Sequence, residues 1–189
     1  MSPRAGLDSQ TLVMAAAEMA DQQGIGEVTL AALAAKLGVR SPSLYNHING
    51  LTGLRTLLAV YGLEQLSTAI ATAAAGLEGD EAVHAMSRAY VDFARSRPGV
   101  YETTLRAPEP ENQGLQAASE QILEQIIGVL RYYQLGAEGE LHAVRGLRSI
   151  LHGFASLEHQ GGFGMPLDLG VSLTRLVDTF IRGIGCMKD

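Results

Sequence analysis

Residues 29–48, TLAALAAKLGVRSPSLYNHI, contain two short helical patterns separated by a glycine. Thr29 is a residue type that favours the N-cap position of a helix. The apolar residues that follow recur on one helical face, at Leu30, Leu33, Ala34 and Leu37. Gly38 is expected to end this helix, because glycine readily adopts the left-handed conformation found after helix C-termini.

A second, shorter helix is predicted directly after this turn. Ser41 is expected to cap it, Pro42 to occupy its first position, and the helix to run to about His47. The residues predicted to face inward are Leu44 and Ile48. Two packed helices joined by a short glycine turn form a helix-turn-helix, whose second helix can enter the major groove of DNA.

Helical periodicity continues on both sides of this motif. A first helix is predicted from Asp8 or Ser9 to about Gln23, and a long apolar helix from Leu51 to about Ala75. Further helices are predicted from Asp80 through Ala94, from Pro98 through Leu105, and over about 111–134, 137–160 and 168–186. The sequence therefore predicts an all-α protein of about nine helices, with a helix-turn-helix domain over 1–50 and a helical domain over 51–189.

The net charge of −6 is not evenly distributed along the chain. Residues 1–60 carry four basic and four acidic side chains, so the whole excess of acid lies in residues 61–189. A neutral N-terminal region has no broad positive field to attract DNA. Binding to DNA would therefore depend on a few well-placed contacts.

Composition narrows the class of protein further. With 47% hydrophobic and 18% charged residues, the chain can bury a sizeable core. No run of 18 uninterrupted apolar residues and no secretory pattern is present, so we expect neither a membrane span nor export. The single cysteine, Cys186, excludes an internal disulfide, which fits a reducing cytoplasm.

Other chemistries are considered and given less weight. His152 and His159 lie seven residues apart on one helical face beside Glu158, but histidines in such positions more often pack than bind metal. Cys186 follows an apolar helix and is expected to be buried or inert. We find no persuasive paired carboxylates, phosphate loop or Ser-His-Asp pattern, and so predict no catalytic residue and no cofactor. An all-helical enzyme or small-molecule carrier remains the alternative.

Residues 29–58, TLAALAAKLGVRSPSLYNHINGLTGLRTLL, resemble the DNA-binding domain of the TetR family of regulators. The residues that carry the resemblance are Thr29, Leu33, Ala34, Leu37, Gly38, Val39, Ser43, Leu44, Tyr45, His47 and Ile48. The resemblance extends back to Leu12. The run Leu151-His152-Gly153-Phe154 also looks like the TetR subgroup with a C-terminal Trp-His-Gly signature, with leucine in place of tryptophan.

The resemblance implies roles for residues of the motif. Residues that would read base edges or touch nearby phosphates are Arg40, Ser41, Pro42, Ser43 and Asn46. Residues that would touch the DNA backbone are Thr29, Tyr45 and His47. Leu51 stands where the family often has lysine, so one phosphate contact is lost unless the helix N-terminus itself holds that phosphate.

The resemblance also implies how such a protein works. It would bind a palindromic operator as a homodimer, act as a repressor, and be released by a small apolar or amphipathic effector. Apolar faces on the helices over about 137–160 and 168–186 favour them as the dimer interface. The residues expected to line an effector cavity are Met86, Tyr90, Phe93, Tyr101, His152 and Phe154.

Overall fold

The computed structural model describes residues 7–106 and 112–186 of the chain. Within these ranges the protein is all-α and contains no β-strand, as predicted. The nine α-helices found in the described part of the chain are α1 (Ser9–Gln23), α2 (Leu30–Leu37), α3 (Ser41–Leu44), α4 (Gly50–Ala74), α5 (Gly79–Ser96), α6 (Pro98–Thr103), α7 (Gln113–Leu130), α8 (Gly136–His159) and α9 (Leu169–Gly185). Short 3-10 helices span Ile25–Glu27 and Arg131–Tyr133.

The chain folds into two compact units. Among the described residues, the first unit comprises residues 7–64, 97–106 and 112–118, and the second comprises residues 65–96 and 119–186. Helices α4 and α7 each contribute to both units. The first unit therefore contains α6 as well as the three helices of the predicted DNA-binding domain.

The core of the first unit is built from aliphatic side chains of α1, α2, α3, α4 and α6, and of Val28 between α1 and α2. The members without solvent exposure are Leu12, Ala16, Val28, Leu33, Leu44, Leu54, Leu58 and Val100. Helix α6 lies directly against α1, since a Cβ added at Gly99 would come within 2.0 Å of the carbonyl oxygen of Ala20. Only glycine permits this approach of the two backbones.

In the second unit, α5 packs against α8 and α9. Asp80 was expected to cap α5, but the helix begins one residue earlier, at Gly79, which has a positive φ of 55°. Asp80 lies in the first turn, where its Oδ1 accepts a hydrogen bond of 2.7 Å from the Tyr133 hydroxyl. Burial and this bond to a carboxylate raise the pKa of Tyr133 well above its ordinary range.

Helix α4 is the longest helix, with 25 residues. By length and composition alone it could cross a membrane, although it lacks the uninterrupted apolar run sought in the sequence. A core helix of a soluble protein can have the same length and hydropathy. The α4 side chains buried within the structure include Leu54, Leu58, Leu63, Leu66 and Ile70.

Several predicted boundaries were wrong by a few residues. The helix that starts at Pro98 ends at Thr103, so Leu105 lies in the following turn. The helix predicted to reach 134 ends at Leu130 and continues as a 3-10 turn, because Gln134 adopts a left-handed conformation with φ of 54°. Helices α8 and α9 begin and end within one residue of their predicted limits. The predicted loop over 107–110 lies outside the described residues.

Candidate DNA-binding site

Helix α2 begins as the sequence indicates. The Thr29 hydroxyl accepts a hydrogen bond of 3.1 Å from the backbone N–H of Ala32, which confirms Thr29 as the N-cap. This bond satisfies one of the donors left free at a helix N-terminus. Thr29 itself is exposed, so its hydroxyl lies at the surface of the first unit.

The turn after α2 is closed by glycine, also as predicted. Gly38 adopts the left-handed conformation with φ of 66° and ψ of 29°. The backbone N–H of Val39 donates to the carbonyl of Ala34 at 3.0 Å, which ends the helix in a tight reversal. The turn therefore sets the direction in which the chain enters α3.

The second helix of the motif is shorter than predicted. It spans only Ser41–Leu44, with Arg40 at the N-cap and no side-chain capping bond. Ser41 is therefore the first helical residue rather than the cap, and Pro42 is the second. The N–H groups of His47 and Ile48 both donate to the Leu44 carbonyl, at 2.9 and 3.0 Å. The segment thus continues as a helix-like turn that keeps Ile48 buried.

The residues predicted to contact DNA lie mostly at the surface. The exposed ones are Thr29, Arg40, Pro42, Tyr45 and Asn46, and the half-buried ones are Ser41, Ser43 and His47. Tyr45 has 60% of its surface exposed, although its neighbour Leu44 is fully buried. A large aromatic ring held outward from a fixed core position is available for an intermolecular contact.

Two contacts with α1 hold this polar segment and the preceding helix in position. The Ser9 hydroxyl donates to the backbone carbonyl of His47 at 3.3 Å, which links the segment to α1. Lys36 on α2 forms an ion pair of 2.9 Å with Glu18 on α1. The hydrogen bond from Lys36, followed by its charge, lowers the pKa of Glu18. Lys36 is therefore paired, and Arg40, which directly precedes residues 41–47, is exposed.

The start of α4 contributes a backbone feature next to this segment. Gly50 has φ of 66°, and the backbone N–H of Gly53 donates to the Asn49 carbonyl at 3.1 Å. Leu51 is half-buried and supplies no charge. The backbone N–H groups of the first turn of a helix have no partners within that helix, so they can bind an anion.

The predicted effector residues fall in two places. Five of them belong to the second unit, where Met86, Tyr90, Phe93 and Phe154 are buried and His152 is half-buried. Tyr101 is buried in the first unit. The Phe154 ring packs against Phe163 of the α8–α9 loop, with ring centroids 5.0 Å apart.

A surface groove of about 560 Å³ is present in the first unit. Its lining residues are Met14, Ala15, Glu18, Asp21, Gln22, Lys36, Leu37, Tyr61 and Arg97. None of the six predicted effector residues belongs to this groove. The groove contains two ion pairs, Lys36–Glu18 and Arg97–Asp21. The sequence analysis did not predict either pair, because the spacing of these residues along the chain does not reveal that they meet.

The residues weighed for other chemistry have different roles. Glu158 accepts from Arg95 at 3.0 Å, and His159 is exposed. Among residues 7–106 and 112–186, no three His, Cys, Asp or Glu side chains are grouped to hold a metal ion. Cys186 is exposed rather than buried, because α9 ends one residue before it.

The sequence matches two family profiles. Residues 12–47 match bacterial regulatory proteins of the tetR family, and residues 83–180 match the tetracyclin repressor-like C-terminal domain. The chain is 43% identical over 185 residues to an uncharacterized HTH-type transcriptional regulator, YobS of Bacillus subtilis. That alignment covers 97% of this chain and 96% of YobS.

Solved structures have the same fold. A protein of unknown function from Rhodococcus sp. RHA1 superposes with a TM-score of 0.81 at 22% identity, over 97% of this chain and 98% of that one. A TetR variant from Acinetobacter baumannii AYE in complex with minocycline superposes with a TM-score of 0.73 at 19% identity, over 97% and 99%. The chain therefore belongs to the TetR family and is a DNA-binding transcriptional regulator rather than an enzyme.

Proposed function

We propose that the protein is a repressor that binds a palindromic operator as a homodimer and is released by a small apolar or amphipathic effector. In this proposal residues 1–50 bind DNA, and residues 51–189 bind the effector and dimerise. The observation that carries it is the exposed polar segment 40–47, held on the buried side chains of Leu44 and Ile48. A rigid, solvent-facing helix-turn-helix is suited to enter a major groove.

Within this segment we assign two kinds of contact. The residues assigned to base edges or adjacent phosphates are Arg40, Ser41, Pro42, Ser43 and Asn46. The residues assigned to the DNA backbone are Thr29, Tyr45 and His47. Arginine can pair with guanine, and hydroxyl and amide groups can bind bases or phosphate oxygens. With so few cations involved, the affinity should depend only weakly on salt concentration.

The proposed dimer interface is formed by α8 and α9. On α8 an apolar and small-residue stripe recurs at helical spacing, at Gly146, Ile150, Gly153 and Leu157. Leu157 is 51% exposed. On α9, Leu176 and Phe180 lie four residues apart and are half-buried. Burying such faces against a second copy would remove apolar surface from water and form an isologous interface.

The proposed effector site lies in the second unit, around α5 and α8. Met86, Tyr90, Phe93 and Phe154 would supply an apolar lining, and His152 a polar group. The Acinetobacter baumannii protein with the same fold was solved with minocycline, which supports a small-molecule site in this architecture. An effector that binds one dimer conformation more tightly would shift the affinity for the operator. Because its operator would be chromosomal, we place the protein in the cytoplasm.

Operator binding is tested with duplexes selected from a random pool and with the protein's own upstream region. Fluorescence anisotropy should show saturable binding to a palindromic duplex and loss of binding when one half-site is scrambled. Tyr45→Ala should weaken binding at least several-fold, since each lost phosphate contact is made twice by the dimer.

Tyr132→Ala is the matched control, because Tyr132 is 61% exposed but lies far along the chain in the second unit. It should leave operator affinity unchanged. Folded dimer that binds no duplex at low salt would refute the proposal. Equal affinities for Tyr45→Ala and the unmutated protein would refute the role of Tyr45 alone.

A further inference from the structure

Ser87 on α5 is a buried polar residue without a partner. Apart from tyrosines, the buried polar side chains among the described residues are Ser67, Ser87 and Thr104. The Ser67 hydroxyl donates to Gln125 Oε1 at 2.8 Å, and the Thr104 hydroxyl donates to the Tyr101 carbonyl at 2.7 Å. Ser87 has 0% exposure, and its hydroxyl makes no hydrogen bond.

Several helical serines and threonines of this protein make a backbone hydrogen bond that Ser87 lacks. Helical serine and threonine hydroxyls commonly donate to the carbonyl four residues earlier. Here Ser96 does so at 2.8 Å, Ser149 at 2.7 Å and Thr174 at 2.9 Å. Ser87 makes no corresponding bond to the Val83 carbonyl. Its hydroxyl therefore remains available, at the energetic cost that burial of an unpaired polar group carries.

Most residues around Ser87 on α5 are apolar, and the ionisable neighbour His84, three residues earlier, is already paired with Asp178 at 2.8 Å. Val83 and Val91, one turn before and after it, have no solvent exposure. Met86 and Tyr90 beside it are 1% and 5% exposed. A ligand reaching this hydroxyl would meet hydrocarbon on both sides along the helix. An ionised group placed there would lose its hydration without gaining a counter-charge from these neighbours.

We propose that the Ser87 hydroxyl is the polar anchor of the effector site, and that the effector is a neutral, mainly apolar molecule carrying one hydroxyl or carbonyl oxygen at that point. The inference rests on the proposed effector-responsive function and specifies its ligand class. Without ligand, Ser87 destabilises the fold. A ligand that bonds to it recovers this cost, so binding discriminates against an analogue that lacks the oxygen.

The test uses Ser87→Ala with Ser67→Ala as its matched control. Ser87→Ala removes an unsatisfied hydroxyl and should raise Tm by roughly 2–4 °C. Ser67→Ala removes a hydroxyl that is bonded to Gln125 and should lower Tm by a similar amount. A Ser87→Ala variant whose Tm is unchanged or lower would overturn the proposal, because the hydroxyl would then be satisfied within the fold or by water.

Ligand preference is tested with phenol and toluene, which have nearly the same shape but differ in one hydroxyl. Each is titrated into the full-length protein and followed by amide NMR shifts of α5. Ser87→Ala should weaken phenol binding roughly 2- to 10-fold and leave toluene binding equal or tighter. Failure of phenol to bind the unmutated protein, or equal losses for both probes, would overturn the proposal.

Neither measurement uses DNA, so its outcome is independent of the operator assay. A protein that binds operator, but in which Ser87→Ala alters neither Tm nor phenol affinity, would lose only the proposed anchor. A protein that binds no operator, but shows both expected effects of Ser87→Ala, would lose only the repressor assignment.

Discussion

The Asp21 carboxylate joins α1 to the start of α6 through Arg97. Arg97 Nε donates to Asp21 Oδ2, and the backbone N–H of Val100 donates to Asp21 Oδ1 at 2.9 Å. The Asp21 side chain is 15% exposed and that of Arg97 is 31% exposed. The Arg97 guanidinium also lies 5.8 Å from the ring centroid of Tyr61 on α4. The Asp21 carboxylate thus forms an ion pair with Arg97 and also accepts a hydrogen bond from a backbone N–H at the N-terminus of α6.

Asp21→Asn should therefore destabilise the protein markedly. The amide keeps the shape but removes the charge that partners Arg97, so we expect a loss of about 2 kcal/mol in the free energy of unfolding. Denaturant unfolding measures it. Asp92→Asn is the control, because Asp92 pairs with Arg95 but its side chain is 65% exposed. That change should cost less than about 1 kcal/mol. Equal effects of the two variants would contradict the structural role of Asp21.

Gly99→Ala should be strongly destabilising for a steric reason. The added methyl would lie 2.0 Å from the Ala20 carbonyl oxygen, so α6 would have to separate from α1. Overpacking of this kind costs about 1–3 kcal/mol or more. Gly128→Ala on α7 is the matched control, since nothing lies within 4 Å of its added Cβ. In that open helical position alanine should stabilise by up to about 1 kcal/mol. Thermal and denaturant unfolding of both variants distinguish the two effects.

The Tyr133–Asp80 bond predicts a pH dependence at alkaline pH. The pKa of Tyr133 is raised in the folded state, so the unfolded chain releases this proton first, near its ordinary value of about 10. The stabilisation is therefore fully present below about pH 10 and is lost as the pH rises toward the folded pKa. Tyr133→Phe should reduce the fall in unfolding free energy above pH 10, measured by denaturant titration. A slope that is the same in both proteins would contradict this linkage.

At neutral pH the loss of the Tyr133 hydroxyl should itself be destabilising, and Tyr132→Phe is the control. Tyr132 is 61% exposed, whereas Tyr133 is 8% exposed and donates to Asp80. Loss of the Tyr133 hydroxyl leaves the carboxylate without this donor and should cost about 1–2 kcal/mol at pH 7. Loss of the Tyr132 hydroxyl should change stability by less than about 0.5 kcal/mol.

Leu157→Glu should weaken the proposed homodimer without unfolding the protomer. Leu157 is 51% exposed in the single chain, so a charge is tolerated there unless a second copy covers it. A charge buried in that interface without a partner is strongly unfavourable. Light scattering coupled to size exclusion should show dimer for the unmutated protein and monomer for the variant. Leu77→Glu, at an exposed leucine outside α8 and α9, should remain dimeric. Dimer retained by Leu157→Glu would place the interface elsewhere.

Local features of the chain were predictable because they depend on neighbouring residues. The Thr29 cap, the Gly38 turn and the ends of α8 and α9 follow from side chains within a few positions. The end of α3 could not be predicted in this way, because residues 45–47 leave regular helical geometry while Ile48 still packs into the core. The effector and DNA contacts remain predictions, since they require partners that the chain alone does not contain.

The amino-acid sequence by itself determined the helical class, the helix-turn-helix and the membership of the TetR family, since periodicity, caps and turn glycines act over short distances. Only the tertiary structure revealed that Asp21 meets Arg97, that Gly99 lies against Ala20, and that Ser87 is buried without a partner. These relationships join residues far apart in the chain or depend on the complete surroundings of one atom. They are determined by tertiary packing, which local sequence patterns do not predict.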